Sequence, residues 1–270
     1  MSDALCYREL AVPPRLSGHV RCLWRMSGDA RSGPPEAVIP DGCGELIVNL
    51  GDPFIHHTSA GSHRQPSTLL AGQITQAITV GPSGRVDLWG VRFHPWGAAP
   101  ALGFSGVEMQ NCLTSLADVA PRLERTLARV GDAVSEQRQL EMLIDVLGRH
   151  VDGARPTDHR VSRLMAIVAE HRHPFTVRGL ARHVGLSTRR VQLLFRDDVG
   201  LSPILAHRIS RFQRALALRR VQPRLTWSAI AMRAGYYDQA HLLHDARDIA
   251  GQTPNDLLGE GALTQAFLSR

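Results

Sequence analysis

A chain of 270 residues with 43% hydrophobic content can bury more than one core, and nothing in the composition is fibrous or disordered. No apolar run approaches the roughly 20 residues of a membrane-spanning helix, and the start, "MSDALCYREL", lacks the charged head and apolar run of a leader, so a cytoplasmic protein without membrane partners is expected. All 31 basic residues are Arg and they are unevenly placed: 13 Arg stand against 15 acids in residues 1–150, but 18 against 10 in residues 151–270, a net +8 that suits a module neutralising phosphates.

From about residue 7 to 105 the sequence breaks often at Gly and Pro. The short apolar runs "ELIVNL" (45–50), "QAITV" (76–80) and "RVDLWGVRF" (85–93), bounded by turns such as "GDP" and "GPSG", predict strands of a barrel or sandwich. The period then changes. "PRLERTLARVG" puts Leu123, Leu127 and Val130 on one helical face with Pro121 in the first turn, and "EQRQLEMLIDVLGRHV" does the same with Leu140, Leu143, Ile144 and Leu147. "DGARPTD" has the turn chemistry of a linker. The expected division is therefore 1–151, a β-rich domain with trailing helices, a linker at 152–158, and a helical domain at 159–262.

The helical region contains the same unit twice. "TVRGLARHVGLSTRRVQLLFRDDVGLSP" (176–203) lies over "TWSAIAMRAGYYDQAHLLHDARDIAGQTP" (226–254): Thr176, Leu180-Ala181 and Gly185 match Thr226, Ile230-Ala231 and Gly235 at an offset of 50. Gly200, Ser202 and Pro203 then match Gly251, Thr253 and Pro254 at an offset of 51. Each copy opens on Thr as an N-cap, ends its first helix at Gly, and offers Ser187 or Asp238 to cap a second helix. That is the plan of a helix-turn-helix, whose second helix enters the major groove. In the first copy Val191, Leu194 and Phe195 share an inward face, leaving Arg189, Arg190, Gln192, Leu193 and Arg196 outward. In the second, Leu242 and Ile249 face inward, leaving Gln239, Ala240, His241, Leu243 and His244 as a reading edge, with Arg247 beyond. His241 and His244 also have the spacing of a helical metal pair, but zinc needs three or four ligands and spacing indicates no third. For His241, a structural role and a base contact both remain open.

These motifs, "LA…GLS" with Phe195 and "GLSP", then "IA…AGYYDQAHL" with Arg247 and "GQTP", resemble the C-terminal DNA-binding domain of the AraC/XylS family of bacterial transcription regulators over residues 158–258. The segment 203–220, with Ile209, Phe212 and Leu216 on its core face, resembles the family's linker helix. The resemblance implies that positions 189, 190, 192 and 193 face bases. Arg pairs bidentately with guanine and Gln with adenine, while Arg196 is placed for phosphate. Leu193 stands where the family often has a basic residue, which points to an apolar contact such as a thymine methyl. Ala246 stands where the family usually buries an aromatic, from which looser packing of the second unit is expected. Promoter duplex DNA and RNA polymerase are the implied partners.

"YRELAVPPRLSGHVRCLWRM", "IPDGCGELIVNLGDP", "LLAGQITQAITV" and "WGVRFHPWGAAPALG" resemble an N-terminal domain of some family members, implying a cupin-like sensing or dimerising barrel. The whole fold class is then α+β: a β-rich barrel, two following helices and an all-α double helix-turn-helix domain. Trp24, Trp89, Phe93 and Trp96 are candidate walls of an effector pocket, with Asp41, Glu45 and Arg92 as anchors, or else simply core. No cofactor is expected. The alternative function is a metal-binding cupin-like enzyme or a thiol-based sensor. Against it, Cys43 is flanked by Asp41 and Glu45, which disfavour a thiolate. Of His56, His57, His63 and His94, the adjacent pair would point to opposite faces of a strand. Cys6, Cys22, Cys43 and Cys112 form no C-x-x-C pair, and there are no paired carboxylates, nucleophile motif or phosphate loop.

Overall fold

The structure is a computed structural model that describes residues 5–30, 34–172, 175–259 and 261. Nine strands come first: β1 (Cys6–Leu10), β2 (Val20–Asp29), β3 (Glu36–Val38), β4 (Glu45–Asn49), β5 (Ile55–Thr58), β6 (Gly61–Arg64), β7 (Thr68–Ala71), β8 (Ile78–Gly81) and β9 (Arg85–Phe93). Short helices α1 (Ala98–Leu102) and α2 (Gly106–Met109) precede β10 (Leu113–Ser115). Two antiparallel sheets result, one ordered β1-β2-β9-β4-β7-β10 and a smaller one ordered β3-β8-β5-β6. The expected "ELIVNL" and "RVDLWGVRF" strands are β4 and β9. The run "QAITV" joins its strand later, at Ile78, because the amide of Ala77 is turned away to the carbonyl of Ile249 (2.7 Å).

Strand alternation gives the larger sheet two different faces. Leu46, Val48, Trp89, Val91 and Phe93 point to one side, into a core completed by helices. There α3 (Leu116–Val119), α4 (Pro121–Leu127) and α5 (Glu136–Asp152) follow β10, and Leu123, Leu127, Leu143 and Leu147 are buried as their 3.6-residue spacing requires. Trp24, Met26, Val86 and Leu88 point to the other side, towards Phe54 and Val80 and the smaller sheet. Gly90 makes this face possible: it pairs with Trp24 across the β2–β9 ladder, and any Cβ there would overlap the indole.

Beyond α5 come α6 (His159–Glu170), α7 (Val177–His183), α8 (Thr188–Leu194), α9 (Pro203–Val221), α10 (Trp227–Ala234), α11 (Gln239–Ala250) and α12 (Pro254–Leu258). A single π-helical turn, Phe195–Val199, extends α8. Ile209, Phe212 and Leu216 of α9 are buried between the two helix pairs. The helical domain is docked on the sheets at several places. Gly106 at the start of α2 meets the backbone of Gly200 so closely that neither tolerates a Cβ. Ala37 and Ile39 enter the core around α10 and α11, and Gln213 Nε2 donates to the carbonyl of Pro40 (2.6 Å).

Candidate nucleic-acid interface

Both duplicated units adopt the geometry that their caps encode. Thr176 accepts from Gly179 N (3.0 Å) and starts α7, Gly185 turns the chain at φ 68°, and Ser187 accepts from Arg190 N (3.1 Å) to start α8. In the second unit Thr226 accepts from Ala229 N (3.2 Å), Gly235 turns at φ 94°, and Asp238 accepts from His241 N (2.8 Å) to start α11. The caps Ser187 and Asp238 are 51 apart while the glycines are 50 apart, so the second turn holds one extra residue. Leu186 and Tyr236 make equivalent amide bonds to Ala181 and Ala231 (2.9 Å each), which leaves Tyr237 as that extra residue. It is 89% exposed at the mouth of α11. The change of offset was the signal for it in the sequence.

On α8, Val191, Leu194 and Phe195 are buried; Arg189, Arg190, Gln192 and Arg196 are exposed, and Leu193 is half-buried. Arg190 is held at 2.9 Å by Asp158, the N-cap of α6, which also binds Arg160 (2.6 Å). Arg160, then Arg190, hold the Asp158 carboxyl well below the usual carboxylate range. Arg196 pairs with its neighbour Asp197 (2.7 Å). On α11, Leu242, Ala246 and Ile249 are buried, Ala240, His244 and Arg247 are exposed, and Gln239, His241 and Leu243 are half-buried. Ser228 donates to Gln239 Oε1 (2.8 Å), tying α10 to the start of α11. Arg247 borders the cleft between α11 and the smaller sheet.

Behind the α11 edge lies a charged layer that periodicity does not reveal. Asp245 is buried, and receives Arg211 (2.6 Å) and Arg208 (2.8 Å) from α9. Burial works to raise its pKa, but the bonds from Arg211 and Arg208 win and lower it. Arg211 also lies over the ring of Tyr236 (4.1 Å) and approaches His241 Nε2 (3.2 Å), whose imidazole meets Tyr236 edge-on at 5.2 Å. These contacts hold the His241 imidazole against Arg211 and Tyr236. His244, Asp245 and Asp248 offer three donor atoms within 4.8 Å of one another, a group that does not include His241. Arg208 bridges Asp245 and Asp248 (2.8 and 2.9 Å) and takes the position a cation would hold.

Residues 180–259 match a family described as a helix-turn-helix domain, and residues 8–114 match a domain of unknown function, DUF6597. The match over residues 180–259 agrees with the AraC-type helix-turn-helix that the duplicated motifs resemble. It shares its fold with ToxT from Vibrio cholerae. The P21 form of that protein matches at 8% identity and TM-score 0.50 over 87% of this chain and 98% of ToxT. The unsaturated fatty acid-bound form matches at 9% and 0.51 over 89% and 97%. The AraC-like transcriptional activator CuxR matches at 14% identity and TM-score 0.27 over 76% of this chain and 84% of CuxR. No curated protein sequence matches. The helix-turn-helix domain supports a DNA-binding transcription regulator, and among the described residues no helix is long and apolar enough to cross a membrane.

The seven N-terminal candidates fall into three places. Trp24 and Glu45 line a cavity of about 70 Å³ between the two sheets, and Asp41 and Arg92 line an adjoining recess of about 40 Å³. Arg92 forms ion pairs with Glu45 and, at 3.5 Å, with Asp41. Trp89 and Phe93 lie on the opposite face of the sheet in the helix-covered core, where Trp89 donates to Gln139 Oε1 (2.9 Å). Trp96 stacks on His94 (4.7 Å) beside a cleft of about 260 Å³ between the sheets and helices α6 and α9. Cys43 is buried beside Arg21, and burial together with Asp41 pushes its thiol up to about 12, leaving it protonated at neutral pH. His56 and His63 face each other across the β5–β6 hairpin, far in topology from His94.

Proposed function

We propose that the protein is a cytoplasmic, sequence-specific regulator rather than an enzyme. It would read promoter DNA with α8 and α11 in neighbouring stretches of major groove, and its N-terminal domain would bind a small-molecule effector. One observation carries this reading: a duplicated helix-turn-helix in the basic half of the chain presents outward edges, Arg189, Arg190, Gln192 and Arg196 on α8 and Ala240, His244 and Arg247 on α11. Arg189, Arg190 and Gln192 lie in the first turns of α8, the portion of a recognition helix that meets base edges, with Leu193 beside them for an apolar contact. Arg196, further along, suits a phosphate. Gln239, Leu243 and the exposed Tyr237 complete the second edge. We take residues 1–151 as the sensing domain, 152–158 as the linker and 159–262 as the DNA-binding domain, with homodimer formation and contact to RNA polymerase as the steps that follow operator binding.

The smaller sheet supports a route from effector to DNA. On β3 and β8 the side chains of Val38, Ile78 and Val80 line the cavity, while Ala37 and Thr79, with Ala77 just before β8, border α11 and its cleft. A molecule that moves these two strands therefore moves the seat of the second reading helix. The test is selection of bound duplexes from a random pool. Two sequence blocks about one helical turn apart are expected; a single block, or no enrichment, rejects the two-headed reading.

A further inference from the structure

We propose that the linker between the two domains is part of the first reading head: it straps α8 at both ends, and its last residue, Asp158, is a positioning residue that fixes Arg190 on a guanine. This rests on reading α8 as a recognition helix and adds what decides its specificity. Arg155 reaches Asp198 (2.5 Å) in the turn that closes α8, and Asp158 reaches Arg190 (2.9 Å) in its first turn. The lengths agree. Three steps of extended chain from 155 to 158 cover roughly 10 Å, and eight helical residues from 190 to 198 about 12 Å, a difference that the arginine side chains span. Pro156 keeps the strap extended, because its ring fixes its own φ and disfavours a helical Arg155. Asp158 is extended too, at φ −69° and ψ 112°.

The strap acts on Arg190 more than on its neighbours. Asp158 takes one terminal nitrogen of Arg190, and a guanidinium carries five N–H donors in a planar fork, so the remaining edge stays open to guanine O6 and N7. Arg160 holds the same carboxylate through Nε (2.8 Å) and a terminal nitrogen (2.6 Å), so Asp158 does not set a bare anion against the phosphates. Arg189, also exposed, makes no side-chain ion pair among the described residues. It must give up the freedom of its whole side chain on binding, whereas Arg190 has given it up in advance. The linker is tied on its other side to the sheet domain: Asp152 pairs with Arg15, and Thr157 Oγ1 meets His19 Nδ1 (3.5 Å), both partners lying in the connection between β1 and β2. The sheet domain thereby sets the strap and the strap sets Arg190, a counterpart for the first reading helix of the route that β3 and β8 offer the second.

The experiment uses the full chain and duplexes recovered from a random DNA pool, with each base pair of both sequence blocks varied in competition binding. Guanine is expected at the position whose preference Arg190→Ala removes. Asp158→Asn, which keeps an N-cap for α6 but loses the charge, should lower that guanine preference at least fivefold and leave the preferences of the second block within twofold. A purely structural role would instead lower every position together. The double variant should discriminate no worse at that position than Arg190→Ala alone, because the carboxylate acts through Arg190. Pro156 is exposed, so Pro156→Gly loosens the strap without disturbing packing or removing an ion pair, and should lower the same preference; if Asp158→Asn does not fold, this variant decides by the same criterion. A guanine preference that Asp158→Asn leaves unchanged, losses of equal size at all positions, or additive losses in the double variant overturn the proposal while the reading of α8 stands. If Arg190→Ala moves no position, the reading of α8 falls, and the role of the strap with it.

Discussion

Arg190 and Arg196 are both exposed on the same reading helix, yet they are prepared differently. Arg190 is oriented by Asp158 across the domain, whereas Arg196 has only its neighbour Asp197. Arg190→Ala is expected to relax base preference at one operator position by about 1–3 kcal/mol. Arg196→Ala should weaken binding to all sequences alike and reduce the salt slope by about one; competition binding at several salt concentrations separates the two. Removing Asp245 leaves Arg211 buried without its carboxylate, so Asp245→Ala should cost about 3–5 kcal/mol in urea unfolding. The two buried acids respond to pH in opposite directions. Asp245 is lowered, so its contribution is complete at neutral pH and is lost as pH falls through the acid range. Glu45 is raised, so its contribution is complete below its ordinary value of 4.5 and is lost as pH rises towards about 7. Urea midpoints of the parent, Asp245→Asn and Glu45→Gln across pH 2–8 should show the slope below about pH 4 removed by the first change and the slope between 4.5 and about 7 removed by the second.

At the scale of elements, what was legible in the sequence was local. The Thr, Ser and Asp caps, the left-handed glycines and the inward faces of α8, α9 and α11 each follow from a few neighbouring residues. Asp238→Ala should cost about 1 kcal/mol and raise hydrogen exchange at the first amides of α11, His241 above all. The short helices α1, α2 and α3, of four or five residues, carry too little periodicity to be anticipated. The alternation of β9 was readable: Arg92 is even-numbered whereas Trp89, Val91 and Phe93 are odd, so one cavity cannot take them all from a regular strand. What alternation cannot say is which face meets the second sheet. Gly90 answers to the register with β2, more than sixty residues away, and Gly90→Ala should lower stability by about 1–3 kcal/mol because the indole of Trp24 must shift; thermal unfolding checks it.

Across the whole molecule, both reading helices are anchored at their C-terminal ends by the sheet domain. The π-helical turn after α8 ends at Gly200 against Gly106, with buried Asp198 bound to Arg155 (2.5 Å), and α11 ends at Ile249 against Ala77. Ala37→Glu would bury a charge beside the core of the second unit. It is expected to broaden the spacing between the two sequence blocks recovered from a random DNA pool, while the first block keeps its preference. The sequence by itself determined the kinds of element, the duplication and the outward edges, because caps, turns and helical faces depend on residues within a turn or two of one another. Tertiary structure alone decided that Trp24 and Glu45 share a cavity while Trp89 and Phe93 do not, that Asp245 sits between two arginines of α9, and that β3 and β8 lie between cavity and reading helix. Those placements depend on strand register and on packing between segments far apart in the chain, and no local pattern specifies them.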